Sequence, residues 1–399
     1  MAKRIDDPRT RLEVLHVSSA GLARFSPVTE RAPLHTECLE LATRLDEPLL
    51  ALRARLRLIF DLIELGDAAQ AWLHAEIALG QARTYKNPRL LWPAMMLGAL
   101  RAAFEGKNHD RARIVAEVEA LASAYPQDAL LSLCLRNHQA CAERQRGFGD
   151  LTTISTFSSG NTDSVYDRVA QLSHRAQLGP LGPELAPALD QCLSGTLDSG
   201  DTALALWLAE MLVSLRSKPH AGALYAWMLP YARFNALWTM HGMFVLGPVG
   251  RGLSQLATVL GRMDEARKHA QASLEAMRLQ GARPHQAHLL MDLAALHDAA
   301  NDSAAAARAR AEAAALGKAC DIDFSGGPTA DRAGEAVTFT REGEFWTVCG
   351  RGAVVRLKHG RGVEMLSRLV ARPTSRTVRV TRSTAPQSCR STQAVARPR

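Results

Sequence analysis

Apolar residues recur at helical spacing along most of this chain, and residues 247–290, GPVGRGLSQLATVLGRMDEARKHAQASLEAMRLQGARPHQAHLL, show the unit most plainly. Leu253, Leu256, Ala257 and Leu260 fall on one face, the spacing of an amphipathic helix. Gly261 follows, where a left-handed backbone ends a helix without a Cβ clash. Asp264 and Glu265 open the next helix, acids beside its positive end. Ala266 is small enough for two helix axes to approach. Ala270, Leu274 and Met277 continue the inner face. Gly281 closes that helix and Pro284 starts another at a position that tolerates proline. The pattern predicts one unit of a helical-repeat array.

The same signals run through the chain. They predict helices over 12–25, 29–45, 48–66, 67–82, 88–106, 111–124 and 128–146. A second run covers 184–197, 202–216 and 221–228, continues as helix from 235 into the 247–260 stretch, and ends with 286–299 and 303–316. The turns LGDAAQA (65–71), EGKNHDRA (105–112), SGDTALA (199–205) and LGRMDEA (260–266) share one layout, and AANDSAAA (299–306) is a looser copy. Gly66 and Gly106 are 40 residues apart, and Gly261 and Ala300 are 39 apart. Helix pairs of about 34 to 47 residues belong to tetratricopeptide and related repeats. Each pair leaves an apolar face that only its neighbours can cover. The fold class read from this is all-α: a tetratricopeptide-like α-solenoid of about six helix pairs.

The pattern also divides the chain. Helical repeats occupy 1–147 and 184–320. Between them, 148–183 is irregular and rich in Ser, Thr and Gly, with one short helix predicted near 166–177. A linker spans 321–334. The apolar period then changes from 3.6 to 2, so 337–340, 345–348 and 354–357 read as strands, and 361–371 as a short amphipathic helix. Residues 335–372 thus form a small β-hairpin and helix module. Residues 373–399 have no acid and no sustained apolar face, and read as a disordered basic tail.

Composition refines this picture. Aromatic residues are only 5% of the chain, as close-packed Ala- and Leu-rich helices require. The formal charge is +8, but residues 351–399 hold twelve Lys or Arg against one acid, Glu364. The helical body is therefore slightly acidic, and the basic balance says nothing about nucleic acid on the main fold. Seven cysteines with no CxxC pair argue against a disulfide framework. Cys38, Cys134, Cys141 and Cys192 lie within apolar helical patterns, where a thiol behaves as a small hydrophobe. Residues 1–11 are too polar for a signal peptide. The apolar stretch 221–246 is broken by Pro230, Arg233 and His241, so no membrane span is read. A cytoplasmic location follows.

Four groups of residues carry candidate chemistry. Cys134, His138 and Cys141 fall at i, i+4 and i+7 of one helix, zinc-ligand types on one face. No fourth ligand accompanies them, and a buried face with apolar thiols is the simpler reading. His285, His288 and Asp292 share another helix, with His297 beyond, but HExxH is absent. Gly247, Gly250 and Gly252 precede a helix whose N–H groups suit an anion, yet no Lys-Ser or Lys-Thr follows, and an inter-helix turn is favoured. Arg376, Arg379 and Arg382 suit phosphates without reading sequence. No GxSxG elbow occurs. No catalytic, cofactor-binding or metal residue is assigned, and no cofactor is expected.

The phrases DPRTRLEVLH, PLLALRARLRLIFDLIELGDAAQA, ALRAAFEGKNHDRA, LGPVGRGLSQLATVLGRMDEARKHAQASLEAMRLQGARP and FTREGEFWTVCGRGAVVRLKHGRGVEMLSRLVARP together resemble the helical-repeat half of large bacterial ATP-dependent regulators. In that family a signal-transducing ATPase precedes tetratricopeptide-like repeats, often fused to a LuxR-type DNA-binding domain, a nucleotide cyclase or a protein kinase. Two features depart from it. No GxxxxGK phosphate loop followed by Ser or Thr occurs, and the sequence after 373 loses the family's ordered continuation. The chain is accordingly expected to begin inside the solenoid and to be a gene fragment with an out-of-frame tail. The resemblance implies a non-enzymatic scaffold that senses an effector or binds a protein or peptide on the solenoid surface, with a separate ATPase subunit as a further partner. The alternative is a DNA-associated regulator using a truncated winged-helix-like C-terminal module, with DNA contacted at most weakly through the basic tail. An enzyme is the third and least supported reading.

Overall fold

The computed structural model describes residues 5–22, 27–147, 168–169, 186–324, 338–343, 345–350, 353–360, 363–364 and 380–381. Nearly all of the irregular segment 148–183, the predicted helix 361–371 and the tail 373–399 thus lie outside the described residues. The chain divides into two compact units, Met1–Gly327 and Pro328–Arg399.

The first unit is mostly helical. Its helices are α1 (Pro8–Leu22), α2 (Val28–Arg44), α3 (Pro48–Leu65), α4 (Ala68–Thr84), α5 (Pro88–Glu105), α6 (Asn108–Ala124) and α7 (Ala129–Gln145). After the irregular segment come α8 (Ala186–Ser199), α9 (Thr202–Leu215), α10 (Lys218–Met228), α11 (Val249–Leu260), α12 (Met263–Leu279), α13 (Arg283–Ala299) and α14 (Ser303–Ala319). Their ends follow from local chemistry. Prolines begin α3 and α5. The side chains of Asp67, Asn87, Asp128, Asp201 and Asp302 cap α4, α5, α7, α9 and α14 by accepting first-turn N–H groups. Gly66, Gly106 and Gly261 close α3, α5 and α11 in the left-handed region, with φ of 87°, 74° and 81°.

Successive helices pack against one another through apolar stripes. In α4, Ala71, Ala75, Ala78 and Ala82 are all buried. Their spacing aligns them on one face, and their size lets α3 and α5 come close on either side. Leu12 and Leu15 of α1, Cys38 and Leu41 of α2, and Ala54 and Leu58 of α3 form a small core of their own. From α3 onward one larger core runs to the end of the unit.

One segment departs from the helical expectation. Residues 235–248 form a β-hairpin, β1 (Asn235–Trp238) paired antiparallel with β2 (Phe244–Pro248), with an irregularity between Ala236 and Leu237. Every residue of the two strands is buried except Leu246, which is half-buried. A lone two-stranded hairpin is marginal in water, so its stability comes from the helices around it. β1 packs on α3 and α9, and β2 on α5, α7 and α11. Trp238 meets Trp207 of α9 edge to face at 5.0 Å. The hairpin therefore joins the first run of helices to the second, and α5 also touches α13 directly. Stacking between sequence neighbours alone does not describe this unit.

The second unit contains β3 (Thr338–Glu342), β4 (Phe345–Gly350), β5 (Ala353–Lys358) and β6 (Val380–Thr381), in the sheet order β5-β4-β3-β6. The β3–β4 and β4–β5 ladders are antiparallel and β6 runs parallel to β3. No helix among the described residues is long and apolar enough to cross a membrane.

Candidate functional site

Two groups of candidate ligands from the sequence converge on the hairpin. His138 of α7 is fully buried. Its Nδ1 lies 3.1 Å from Met243 O and 3.3 Å from Gly242 O. A carbonyl oxygen only accepts, so Nδ1 carries the proton and donates. The neighbouring Asn137 donates to His241 O at 2.8 Å. Burial, then Arg111, lowers His138 to about 4, so it is neutral. Cys134 and Cys141 sit beside it, and burial pushes both thiols up, Cys141 to about 12. Both thiols are neutral on this buried face. This face of α7 grips the hairpin turn.

His285 and His288 of α13 work similarly. His285 hydrogen-bonds the main chain of Val245 in β2, and Gln145 Nε2 approaches its Nε2 at 3.4 Å. His288 Nε2 donates to Gln145 O at 2.8 Å. Burial is the largest cause holding them at about 3 and about 4. Asp292 turns elsewhere, taking Arg251 Nε at 2.6 Å, and His297 lies nearest Asp302 instead. Among the described residues no group of three or more His, Cys, Asp or Glu is arranged to hold a metal ion.

Gly250 and Gly252, expected ahead of the helix, lie inside α11 and are packing positions. A Cβ on Gly250 would lie 2.3 Å from Ser273 Oγ, and one on Gly252 would lie 2.7 Å from the Leu206 side chain. Gly250 thus leaves room for α12 and Gly252 for α9 against α11. Gly247 has φ of 141° beneath His285. Arg376, Arg379 and Arg382 lie outside the described residues.

Around the hairpin the polar side chains are paired across helices. Arg144 of α7 pairs with Glu210 of α9, and Arg251 of α11 with Asp292 of α13. Burial alone would raise the Glu210 carboxyl; Arg144, then Arg251, outweigh it and hold Glu210 below the usual carboxylate range. A matching cluster ties α2 to α3, where Arg31 holds both Asp61 and Glu64 and His35 Nδ1 donates to Asp61.

The open site lies where three helix-to-helix turns meet. A cleft of about 600 Å³ is bordered by the α3–α4 turn, the α5–α6 turn and the α12–α13 turn. Its parts are fixed from below. Asn235 of β1 donates to Ile63 O and to Gln280 Oε1, both at 2.8 Å, and Gln280 lies against Gly66. Arg283 Nε donates to Glu105 O at 2.7 Å, and Asn108 donates to Cys320 O at 2.5 Å. Trp72 forms a buried wall, while Leu279 stands 90% exposed at the rim. Lys107 and Arg101 neutralise Glu105, and Asp67 caps α4. The lining can therefore bind an apolar group beside a polar or charged one.

A hydrogen-bonded Ser–His–Asp chain does occur elsewhere, unforeseen from the sequence. Ser217 Oγ meets His220 Nδ1 at 2.6 Å, and His220 Nε2 meets Asp190 Oδ1 at 2.9 Å. Ser217 is the N-cap of α10 and His220 lies in its first turn, so the first link is local helix-start geometry that SKPH could have signalled. The Asp190 side chain is 72% exposed, unlike the buried orienting acid of a hydrolytic triad. The chain matches no protein-family model and no curated protein.

Proposed function

We propose that this chain is a non-enzymatic helical-repeat scaffold, tetratricopeptide-like in its helix pairs, that binds a segment of another protein. The cleft where the three turns meet carries the reading: Leu279 is exposed above a Trp72 wall, with Arg283 and Lys107 alongside. Such a lining takes up an apolar side chain and an adjoining polar group of a peptide. The paired charges around the hairpin support a rigid support for that cleft rather than a reaction centre. The resemblance to the repeat half of ATP-dependent bacterial regulators is consistent with a partner that is itself a signalling ATPase. The five buried free thiols, Cys38, Cys134, Cys141, Cys192 and Cys320, suit a reducing compartment such as the cytoplasm.

Selection of a random peptide library on the purified chain tests the proposal. Enriched peptides whose binding is lost in Leu279→Asp and Arg283→Glu support it. Enriched peptides that bind both variants as tightly as the parent place the binding surface elsewhere and overturn the assignment of the cleft.

A further inference from the structure

The two faces of the sheet in the second unit are built differently. Along β4, Trp346 and Phe345 are adjacent and so point to opposite sides. Trp346 is 6% exposed. Arg341 lies over its ring at 6.0 Å, His359 stacks on it, and its Nε1 donates to His359 Nδ1 at 3.0 Å. That ring is used within the unit. Phe345 is 39% exposed. In the β4–β5 ladder Phe345 stands opposite Lys358 and Thr347 opposite Arg356, which puts these four residues on one face. The Arg356 guanidinium lies 5.0 Å from the centre of the Phe345 ring, and Arg356 and Lys358 are both exposed.

An exposed ring with two cations beside it matches one class of polyanion best. Single-stranded nucleic acid offers both an unpaired base to stack on the ring and phosphates for the cations. A duplex offers the phosphates but keeps its base faces covered. An acidic peptide offers carboxylates but leaves the ring unused. We propose that this face of the second unit binds single-stranded nucleic acid, with one base stacked on Phe345 and flanking phosphates on Arg356 and Lys358. The site is independent of the scaffold reading, because it concerns the second unit alone.

Fluorescence anisotropy of the full chain with labelled oligo(dT) and oligo(U), against a duplex of the same length, tests this. The single strands are expected to bind more tightly than the duplex. Phe345→Ala is expected to weaken single-strand binding roughly ten-fold, the loss of about one stacked base, and Phe345→Trp to retain it. Lys358→Gln is expected to lower the salt slope by about 0.7, the share of one phosphate contact on a single strand. An unchanged circular dichroism spectrum and melting point verify that each variant stays folded. Three results overturn the site: no binding by the parent chain, tighter binding of the duplex, or full affinity in Phe345→Ala with loss of binding only in Arg376→Gln/Arg379→Gln/Arg382→Gln.

Discussion

Arg283 Nε donates to the main-chain oxygen of Glu105 over 2.7 Å, joining residues 178 positions apart. The oxygen belongs to the last turn of α5, where no helical N–H remains to satisfy it. Arg283→Met removes this donor and keeps much of the aliphatic packing. Hydrogen bonds from charged groups contribute about 1.5–3 kcal/mol, and half-exposure of Arg283 places the expected loss near the lower end. Urea denaturation should show a lower midpoint with an unchanged slope. An unchanged midpoint would show that water replaces the guanidinium without cost.

Gly106 and Gly261 occupy the same left-handed cap in two helix pairs but differ in surroundings. A Cβ on Gly106 would sit 2.4 Å from Cys320 Sγ, whereas nothing lies within 4 Å of one on Gly261. Gly261→Ala should cost only the backbone strain, about 1–2 kcal/mol. Gly106→Ala should cost clearly more, and Gly106→Ala/Cys320→Ala should recover part of the difference. Thermal melts of the three variants measure this, and equal melting points for the two single variants would contradict the contact with Cys320.

Acid should destabilise the fold. His138, His285 and His288 are held neutral, at about 4, 3 and 4, while in the unfolded chain they protonate near 6.5. Their stability contribution is complete above 6.5 and is lost as the pH falls toward 4. Glu64 has the opposite sign. Burial, the largest cause, raises it to about 7 from 4.5, so its protonated form favours the fold and that contribution fades as pH rises from 4.5 through 7. Three imidazoles outweigh one carboxyl, at about 1.4 kcal/mol per pH unit for each proton of net difference. Urea midpoints should fall from pH 7 to pH 5, and His138→Gln should flatten the profile. A profile that rises on acidification would refute the neutral histidines.

The thiols offer a direct measure of closure. Five of the seven cysteines are buried in the first unit. Ellman's reagent should titrate at most two thiols, Cys349 and Cys389, in the native chain and all seven in urea. Rapid reaction of a third native thiol would show that a helix pair opens readily.

The helices were legible because their ends carry their own chemistry: Pro48 and Pro88 at starts, Asp67 and Asp128 as caps, Gly66, Gly106 and Gly261 at stops. The 235–248 hairpin was not legible as strand. NALW and FVLGP are buried on both faces, so no apolar–polar alternation marks them, and short apolar runs do not separate strand from buried helix. The available signal was Gly242 between two runs of strand length; a Cβ there would lie 2.7 Å from the Trp238 ring. The candidate ligands were legible as residues sharing a helix face, but the hairpin main chain that His138 and His285 bond was not. Cys134, His138 and Cys141 share the spacing of metal ligands because consecutive turns of α7 present one buried face. The cleft was beyond reach, since Gly66, Glu105 and Leu279 mark only local turns in the sequence.

The hairpin fixes a count. In an open array a helix pair can be gained or lost anywhere, because only the adjoining pairs notice. Here Asn235 is bonded to Ile63, and the 241–243 turn to Asn137 and His138. Inserting or deleting one pair between those anchors would carry the hairpin away from its partners. A change in helix number between α3 and β1 would therefore break these bonds, so that stretch is held to its present length.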